Sequence, residues 1–285
     1  MEAQPERAAA AKPKRRWFQF SLATLLLLTL ACAVVLALWV APAARQRRAV
    51  AIVESLEGYV EYGAESDGAA LAPVWLREWL GPDYFQSVRM VELVGAQVSD
   101  EGLAHLKGLT ALERLYLYNT QVSDKGLAHL KALAALEVLT LGGTPVSDAG
   151  LAHLKGLTGL KMLHLSDTQV SDAGLAHLER LTALEWLHLD DTQVSDAGLA
   201  HLHVLTELEV LTLNNTQVSD AGLAHLKGLT ALEKLNLGRT QISDAGVEHL
   251  KGLTALEKLY LDGTQVSDAG IADLRAALPN CDIHD

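Results

Sequence analysis

Cysteine and aromatic residues are both scarce in this sequence, and each scarcity excludes a class of structure. The chain has two cysteines, Cys32 inside a long apolar run and Cys281 near the C-terminus. Two cysteines this far apart do not form a disulfide framework, so cysteine usage does not define the redox compartment. Phe, Trp and Tyr together make up 5% of the residues. The core of such a chain has to be aliphatic.

Basic residues are scarce outside the N-terminal segment. Of the 23 Lys and Arg and the 35 Asp and Glu in the chain, residues 1–48 hold eight and two, which leaves 15 basic and 33 acidic side chains and a formal net charge of −18 for residues 49–285. Phosphate backbones bind to positively charged surfaces, so this charge argues against a nucleic-acid partner. It favours solubility and a bias toward basic partners.

The motifs of common catalytic and cofactor sites are also missing. The sequence contains no H-E-x-x-H, no C-x-x-C and no glycine-rich phosphate loop. A Ser-Asp pair recurs along the chain, but no histidine stands in register to activate each serine as a nucleophile. We therefore predict a protein without enzymatic activity or cofactor.

One apolar segment near the N-terminus is long enough to cross a membrane. Residues 1–16 form a basic tail, and residues 17–44 contain no charge. About 20 apolar residues in a helix span the hydrocarbon core, and aromatic residues such as Phe18 and Trp39 favour its two boundaries. We predict a transmembrane helix that acts as a signal anchor over residues 17–44. The alternative is a signal peptide cleaved near residues 41–43, although the apolar regions of signal peptides are usually shorter.

The charges on either side of this segment predict its orientation. Five basic residues precede it, and three follow it closely in Arg45-Gln46-Arg47-Arg48. By the positive-inside rule, the N-terminus is cytoplasmic and the rest of the chain is extracytoplasmic. The difference in charge is small, so the opposite orientation stays open as an alternative.

A 24-residue repeat fills most of the remaining chain, residues 88–279. Eight segments share the pattern L-x-x-L-x-L-x-x-T-x-V-S-D-x-G-L-x-H-L-x-x-L-x-x, and the Ser-Asp pair and the following glycine occur in all eight. A fixed period of this length indicates a solenoid of stacked units. The repeats begin at Val88, Leu112, Leu136, Leu160, Leu184, Leu208, Leu232 and Leu256.

Each repeat contains two hydrophobic periods. Leu115 and Leu117 alternate with polar residues, as in a strand with one buried face. Leu127, Leu130 and Leu133 recur three residues apart, which gives one apolar stripe on a helix. Each unit is therefore predicted to be a short strand followed by a short helix. The predicted fold class is α/β, a solenoid with a parallel sheet on one face and short helices on the other, preceded by one transmembrane helix.

Polar residues and glycines mark the turns of each repeat. Ser123 is a predicted N-cap, and Asp124 lies near the positive end of the helix dipole. A glycine after the helix is predicted to end it in the left-handed conformation. These glycines are Gly108, Gly156, Gly228 and Gly252. A threonine is expected to satisfy backbone groups in the turn after the strand. These threonines are Thr120, Thr144, Thr168, Thr192, Thr216, Thr240 and Thr264.

The repeats resemble the bacterial leucine-rich repeats of the T-x-V-S-D-x-G-L type and, in outline, the helix-containing, ribonuclease-inhibitor-like class. The basic start, the FSLATLLLL segment and the acidic repeats also resemble predicted single-pass bacterial repeat proteins. The repeat resemblance covers residues 88–279. It implies a curved solenoid that binds a protein or another macromolecule, and it supplies no catalytic residues.

Both ends of a solenoid need caps, because stacking leaves the terminal units with an exposed core. Residues 45–87 are predicted to be a juxtamembrane segment and N-terminal cap, with a helix over 49–56 and a strand over 59–62. An apolar stripe beside the first repeat is predicted to pack on the core. It comprises Trp75, Leu76, Trp79, Leu80 and Phe85. At the other end, residues 280–285 are predicted to add a cap strand.

A histidine recurs at one repeat position, which raises the question of a metal site. The position lies between two leucines of the apolar stripe, so the side chain is predicted to point to solvent on the convex side. Packed helices lie about 8–10 Å apart, too far for two rings to share one zinc ion. We predict no metal site. The histidines are His105, His129, His153, His177, His201, His225 and His249.

The repeats differ from one another mainly at strand positions that face away from the core. In repeats four to six these positions include an apolar row of Met162, Trp186 and Val210, and Trp is a frequent anchor of binding surfaces. Neutral drift of duplicated copies is the alternative explanation of the variation. The predicted partner-binding residues are Tyr116, Met162, His164, Asp167, Trp186, His188, Asp190, Asp191, Val210, Asn214 and Tyr260.

These observations predict a non-enzymatic, membrane-anchored module that binds a protein or peptide on the concave face. A second hypothesis is a cell-envelope protein that binds polysaccharide, because Trp186, Tyr116 and Tyr260 with interspersed carboxylates and amides suit sugar rings. A third is a cytoplasm-facing scaffold, which follows if the orientation is inverted.

Overall fold

The chain divides into two compact units, residues 1–41 and residues 42–285. The computed structural model of the protein describes residues 22–35, 40–65, 75, 78, 81, 84–95 and 97–285. In the first unit it describes one helix, α1 (Leu22–Val35), and the leucines of α1 are exposed.

The predicted membrane segment lies partly outside the described residues, at positions 17–21 and 36–39. Among the residues that are described, no helix has the length and apolar character that crossing a membrane requires. Residues 41–44 form the first turn of the next helix, α2 (Ala41–Ser55), in which Ala43 is buried.

Among the described residues of the second unit, ten strands form one sheet in chain order. The strands are β1 (Tyr59–Glu65), β2 (Gln86–Glu92), β3 (Arg114–Tyr116), β4 (Val138–Thr140), β5 (Met162–His164), β6 (Trp186–His188), β7 (Val210–Thr212), β8 (Lys234–Asn236), β9 (Lys258–Tyr260) and β10 (Asp282–His284). β1 is antiparallel to β2, and all later neighbours are parallel. From β2 to β9, paired residues are 24 positions apart, as Met162 with Trp186 and Trp186 with Val210. The repeat period therefore sets the strand register.

Short helical turns follow the strands, as the sequence predicts. They are α3 (Asp100–Ala104), α4 (Asp124–Leu127), α5 (Asp148–Leu151), α6 (Asp172–Leu175), α7 (Asp196–Leu199), α8 (Asp220–Leu223), α9 (Asp244–Val247) and the longer α10 (Asp268–Ala277). The predicted short helix is therefore confirmed, and in four repeats a 3₁₀ turn follows it. These turns are His105–Gly108, Leu130–Ala132, Ala200–Val204 and Ala224–Gly228. A 3₁₀ helix has three residues per turn, which matches the three-residue spacing of the leucines. These leucines are fully buried.

The threonines behave as predicted and close the turn after each strand. Thr192 is buried, and its hydroxyl donates a hydrogen bond to the carbonyl oxygen of Leu189 at 2.6 Å. The same contact forms in the other copies, from Thr120 to Thr264, at 2.5–2.9 Å. A buried carbonyl without a partner is costly, so the threonine column stabilises the turns.

The prediction that glycines end the helices in the left-handed conformation is wrong. Gly156, Gly228 and Gly252 are not among the residues with positive φ, and the 3₁₀ turn after α4 ends at Leu133 with φ −89° and ψ 61°. The helix tightens into a 3₁₀ turn instead of reversing, so no left-handed residue is needed.

The left-handed residue of each repeat lies in the turn after the strand. Asp191 has φ 56° there, and its N–H donates to the carbonyl oxygen of Asn214 in the next repeat at 2.9 Å. Gly, Asn and Asp tolerate this conformation best, which explains their recurrence at this position. The full set is Gly95, Asn119, Gly143, Asp167, Asp191, Asn215, Arg239 and Gly263.

Arg239 is the exception in this column, because it has φ 55° without a short polar side chain. We expect Arg239→Asn to raise the free energy of unfolding by about 0.5 kcal/mol, since asparagine relieves part of the cost of the left-handed region. Urea unfolding of the two proteins measures the difference. The reciprocal change Asn215→Arg should lower stability by a similar amount, and equal stability of all three proteins would contradict the explanation.

The Ser-Asp pair holds neighbouring repeats together. Asp172 accepts hydrogen bonds from the backbone N–H and the hydroxyl of Ser195 in the next repeat, at 2.7 and 2.6 Å. Seven aspartates, from Asp100 to Asp244, make both contacts, at 2.7–2.8 and 2.5–2.7 Å. The bonds from Ser267 lower the pKa of Asp244. The predicted serine N-cap is a minor contact: the Ser123 hydroxyl accepts a hydrogen bond from the Lys125 N–H at 3.3 Å, and Ser171 forms no such contact.

The two ends of the core are closed differently. At the N-terminal end, α2 begins well before the predicted helix start and buries Ala49, Val50 and Val53. Phe85 is buried, whereas Trp75 is 66% exposed, so the predicted packing of Trp75 on the core is wrong. Leu76, Trp79 and Leu80 lie outside the described residues. At the C-terminal end, β10 pairs with β9 and buries Ile283.

Candidate functional site

The side chains of the strands that point away from the core form what we call the variable face. In β5, β6 and β7 the central leucines are fully buried, so the residues on either side of them lie on this face. Among the large apolar side chains of residues 97–285, only Tyr118 and Trp186 are exposed, at 38% and 41%. Trp186 lies in β6 on the variable face, and Tyr118 lies two residues beyond β3 at the edge of the same face.

Three rings, those of Tyr118, His164 and His188, follow one another across the variable face, and we call them the ring row. The ring of Tyr118 meets His164 edge-on at 5.6 Å between centroids, and His164 lies 4.9 Å from His188. Gly142, between Tyr118 and His164 in the sheet, makes this row possible. A Cβ atom there would overlap the Tyr118 ring and come within 2.6 Å of His164 Nδ1.

A polar network around Asp190 lies beside these rings. Asp190 accepts hydrogen bonds from the Thr212 hydroxyl at 2.5 Å, the Asn214 N–H at 2.9 Å and the Ser166 hydroxyl at 3.2 Å. The Nδ1 of His188 lies 3.3 Å from the same Thr212 hydroxyl. Asp190 is therefore held in place by donors from the repeats on both sides of it, which organises a rigid polar wall.

Burial lowers the pKa of both histidines of the ring row. For His164 the neighbouring charge of Asp190 opposes the effect of burial, and its Nδ1 atom is buried without a hydrogen-bond partner. For His188 the charges of His164 and Lys234 add to burial, and Asp190 again opposes it. Both rings are therefore neutral at pH 7.

The lowered pKa of His164 and His188 predicts that the protein loses stability in mild acid. The unfolded chain takes up protons below the ordinary histidine pKa of about 6.5, whereas the folded protein does not until lower pH. The free energy of unfolding is therefore highest above about pH 6.5 and falls as the pH drops from that value toward the lower pKa of the folded protein. Urea unfolding at about pH 7.5 and about pH 5 measures the difference.

The double variant His164→Gln/His188→Gln should reduce this pH dependence. It should not abolish it, because burial also lowers the pKa of His153 and His177. An unchanged slope of stability against pH in the double variant would refute the role of the ring row.

The predicted binding residues do not all come together. Met162, Trp186 and Val210 form one row in direct register, and His164, His188, Asp190 and Asn214 adjoin it. Tyr116 lies on β3, away from this cluster, and Tyr260 stacks on His284 at 4.6 Å. Asp167 and Asp191 occupy the turn position with a left-handed backbone, so this conformation is sufficient to explain why aspartate occurs there.

Three contributors to the site were missing from the predicted set. Tyr118 is exposed beside His164, Thr212 links His188 to Asp190, and Gly142 provides the space for the rings. The Gly-Gly pair at 142–143 is a sequence signal for the gap, because it replaces larger residues at the equivalent positions of most other repeats.

No cluster of three or more His, Cys, Asp or Glu side chains suited to a metal ion occurs in the part of the chain that the structure describes. The histidine column on the helical side is half-buried or exposed, and His201 contacts Glu179 at 2.7 Å.

Comparison with known proteins bears on the fold. The family model described as Leucine rich repeat matches residues 206–266. An internalin, inlF, from Listeria monocytogenes has a similar structure, with a TM-score of 0.58 and 26% identity over 69% of this chain and 53% of that one. Internalin C2 of the same organism gives a TM-score of 0.59 and 28% identity over 71% of this chain and 86% of that one.

The fold is a leucine-rich-repeat solenoid. The chain spans about half the length of the first of these internalin structures. No curated protein sequence matches it. In this leucine-rich-repeat solenoid the buried leucines and the Ser-Asp contacts recur in successive repeats, whereas the ring row and the apolar row occur once.

Proposed function

We propose that this protein is a non-enzymatic interaction module that binds a partner protein or peptide on the variable face of its solenoid. The observation that carries the proposal is the exposure of Trp186 and Tyr118 in a repeat array whose other large apolar side chains from residue 97 onward are buried or half-buried. Solenoids present extended surfaces of this kind to macromolecular partners.

Neutral drift is a weaker explanation of Trp186 than binding. Drift at an exposed strand position has no reason to place the largest apolar residue between Met162 and Val210 in adjacent strands. Together these residues form a contiguous apolar row in which Trp186 is exposed and Met162 and Val210 are half-buried. Contiguous apolar surface that solvent reaches marks interaction sites. A tryptophan at the centre of such a row is a typical hot spot.

The test is the variant Trp186→Ala in the full-length protein. We expect an unchanged urea midpoint, because the side chain is 41% exposed. Affinity for a partner identified by crosslinking the native protein should fall about tenfold or more, as for other hot-spot tryptophans. The matched control is Tyr59→Ala, which removes a 58% exposed aromatic side chain from β1 and should leave affinity unchanged.

The polysaccharide alternative is decided by the same pair of variants. If a glycan array captures the protein through Trp186 while crosslinking yields no protein partner that depends on Trp186, the protein-binding proposal fails. Equal partner affinity of the wild type and Trp186→Ala would instead remove the variable face from consideration.

We also propose that residues 17–44 anchor the protein as a single-pass segment, with the N-terminus cytoplasmic and the solenoid extracytoplasmic. Support comes from the uncharged length of the segment and from exposed leucines on α1 such as Leu22 and Leu27. In intact cells, added protease should degrade residues 49–285. Full protection that is lost on lysis would place the solenoid in the cytoplasm instead.

A further inference from the structure

Carboxylates flank the apolar row on both sides. Glu185 and Glu209 immediately precede Trp186 and Val210 in the sequence, at the start of β6 and β7. Beyond the other end of β6 lie Asp190 and Asp191, whereas Asn214 and Asn215 follow β7. An apolar side chain placed against Trp186 would therefore have negative charge on either side along the strand direction.

Basic side chains are almost absent from the same surface. Within the strand segments 161–168, 185–192 and 209–216, which are all described, Lys161 is the only Lys or Arg. Its Nζ atom pairs with Glu137 Oε2 at 3.0 Å, so its charge is already matched. His164 and His188 are neutral at pH 7 for the reason given above. The patch is thus acidic with an apolar floor.

The neighbouring repeats on the same face have a different charge. Toward the N-terminus, Arg114 pairs with Glu61 at 3.2 Å. Toward the C-terminus, Lys234 and Lys258 occupy the positions equivalent to Trp186, and Lys234 lies over the Tyr260 ring at 5.4 Å. The apolar row continues to Val138 on β4, which pairs with Met162. Arg114 on β3 and Lys234 on β8 therefore bound an acidic, apolar surface over β4–β7, so the overall charge of the domain does not describe it.

We propose that the partner presents an extended cationic polypeptide segment to β5–β7, with one apolar side chain against Trp186 and Lys or Arg side chains paired with Glu185 and Glu209. This inference rests on the proposed function and specifies the chemistry of the partner at the same site. Charge complementarity supplies specificity and association rate, while the apolar anchor supplies affinity.

Three labelled synthetic peptides test the proposal against the full-length protein in detergent. The first carries a central Leu between Lys residues with Ser and Thr spacers, the second replaces each Lys by Glu, and the third replaces Leu by Ser. Fluorescence anisotropy at low salt should show binding of the first peptide. The other two should bind at least about tenfold more weakly. Added NaCl should weaken the first peptide's binding, because exposed charge pairs are screened.

A pair of matched variants locates the charge effect. Glu185→Gln/Glu209→Gln should weaken binding of the cationic peptide about tenfold. Glu233→Gln/Glu257→Gln makes the same change in net charge at the same repeat position, next to Lys234 and Lys258, and should change binding less than about twofold. Equal weakening by the two double variants would overturn the proposal, because the overall charge of the domain would then explain binding.

The remaining outcomes separate this inference from the proposed function. If the Glu-containing or Ser-containing peptide binds as well as the first, and Trp186→Ala abolishes that binding, the variable face binds peptides but the partner is not cationic and apolar. If peptide binding is insensitive to Trp186→Ala, the proposed function fails as well. Absence of binding by all three peptides also overturns the inference.

Discussion

Gly198→Ala should destabilise the solenoid by about 2–3 kcal/mol, although alanine is the better helix former by about 1 kcal/mol. A Cβ atom on Gly198 would overlap Oδ1 of Asp172 and approach Leu175 Cδ1 at 3.1 Å and the Asp172 Cα at 3.2 Å. Backbone and fully buried leucine cannot move aside cheaply in a packed core. The aspartate would have to give up its contacts with Ser195, so overpacking and lost hydrogen bonds act together.

The matched control for this change is Gly228→Ala, at the end of the 3₁₀ turn Ala224–Gly228. A Cβ atom there meets nothing within 4 Å, so stability should be unchanged or slightly higher. Urea unfolding followed by circular dichroism measures both variants. If the two alanine variants are equally stable, steric conflict with the aspartate is not the reason for the recurrent glycine.

Asp172→Ala should destabilise the protein by a similar amount, about 2–3 kcal/mol, by a different mechanism. The substitution removes the acceptor of the Ser195 N–H and hydroxyl, at 2.7 and 2.6 Å. The N–H then loses its partner in a half-buried position, and bonds to a charged acceptor are among the stronger ones.

The two substitutions should be strongly non-additive. In the Asp172→Ala background, Gly198→Ala should cost at least about 1 kcal/mol less than in the wild type, because the carboxylate that it overlaps is gone. Asp244→Ala, two repeats further along, is the control background and should combine additively with Gly198→Ala. A coupling energy of zero in the first pair would show that Asp172 and Gly198 act independently.

For the proposed binding surface, the sequence was sufficient to predict which strand residues lie side by side, but not which side chains contact one another. Strand alternation was enough to place Met162, Trp186 and Val210 in one row, because side chains 24 residues apart stack in register. It could not show that Gly142 leaves room for Tyr118 against His164, or that Thr212 joins His188 to Asp190. Those relations depend on side-chain contacts between repeats, which a one-dimensional pattern does not contain.

The sequence by itself determined the repeat length, the order of strand and helical turn, and the leucines that are buried, because these follow from hydrophobic periodicity alone. Only the tertiary structure decided why Asp and Gly recur together. The glycine of one repeat makes room for the aspartate of the previous one, as Gly198 does for Asp172. The tertiary structure also decided that the left-handed residue lies in the turn after the strand, as at Asp191, and not at the helix end. The physical reason is the same in each case: these positions are selected by contacts across the stack, and such contacts exist only once neighbouring repeats pack together.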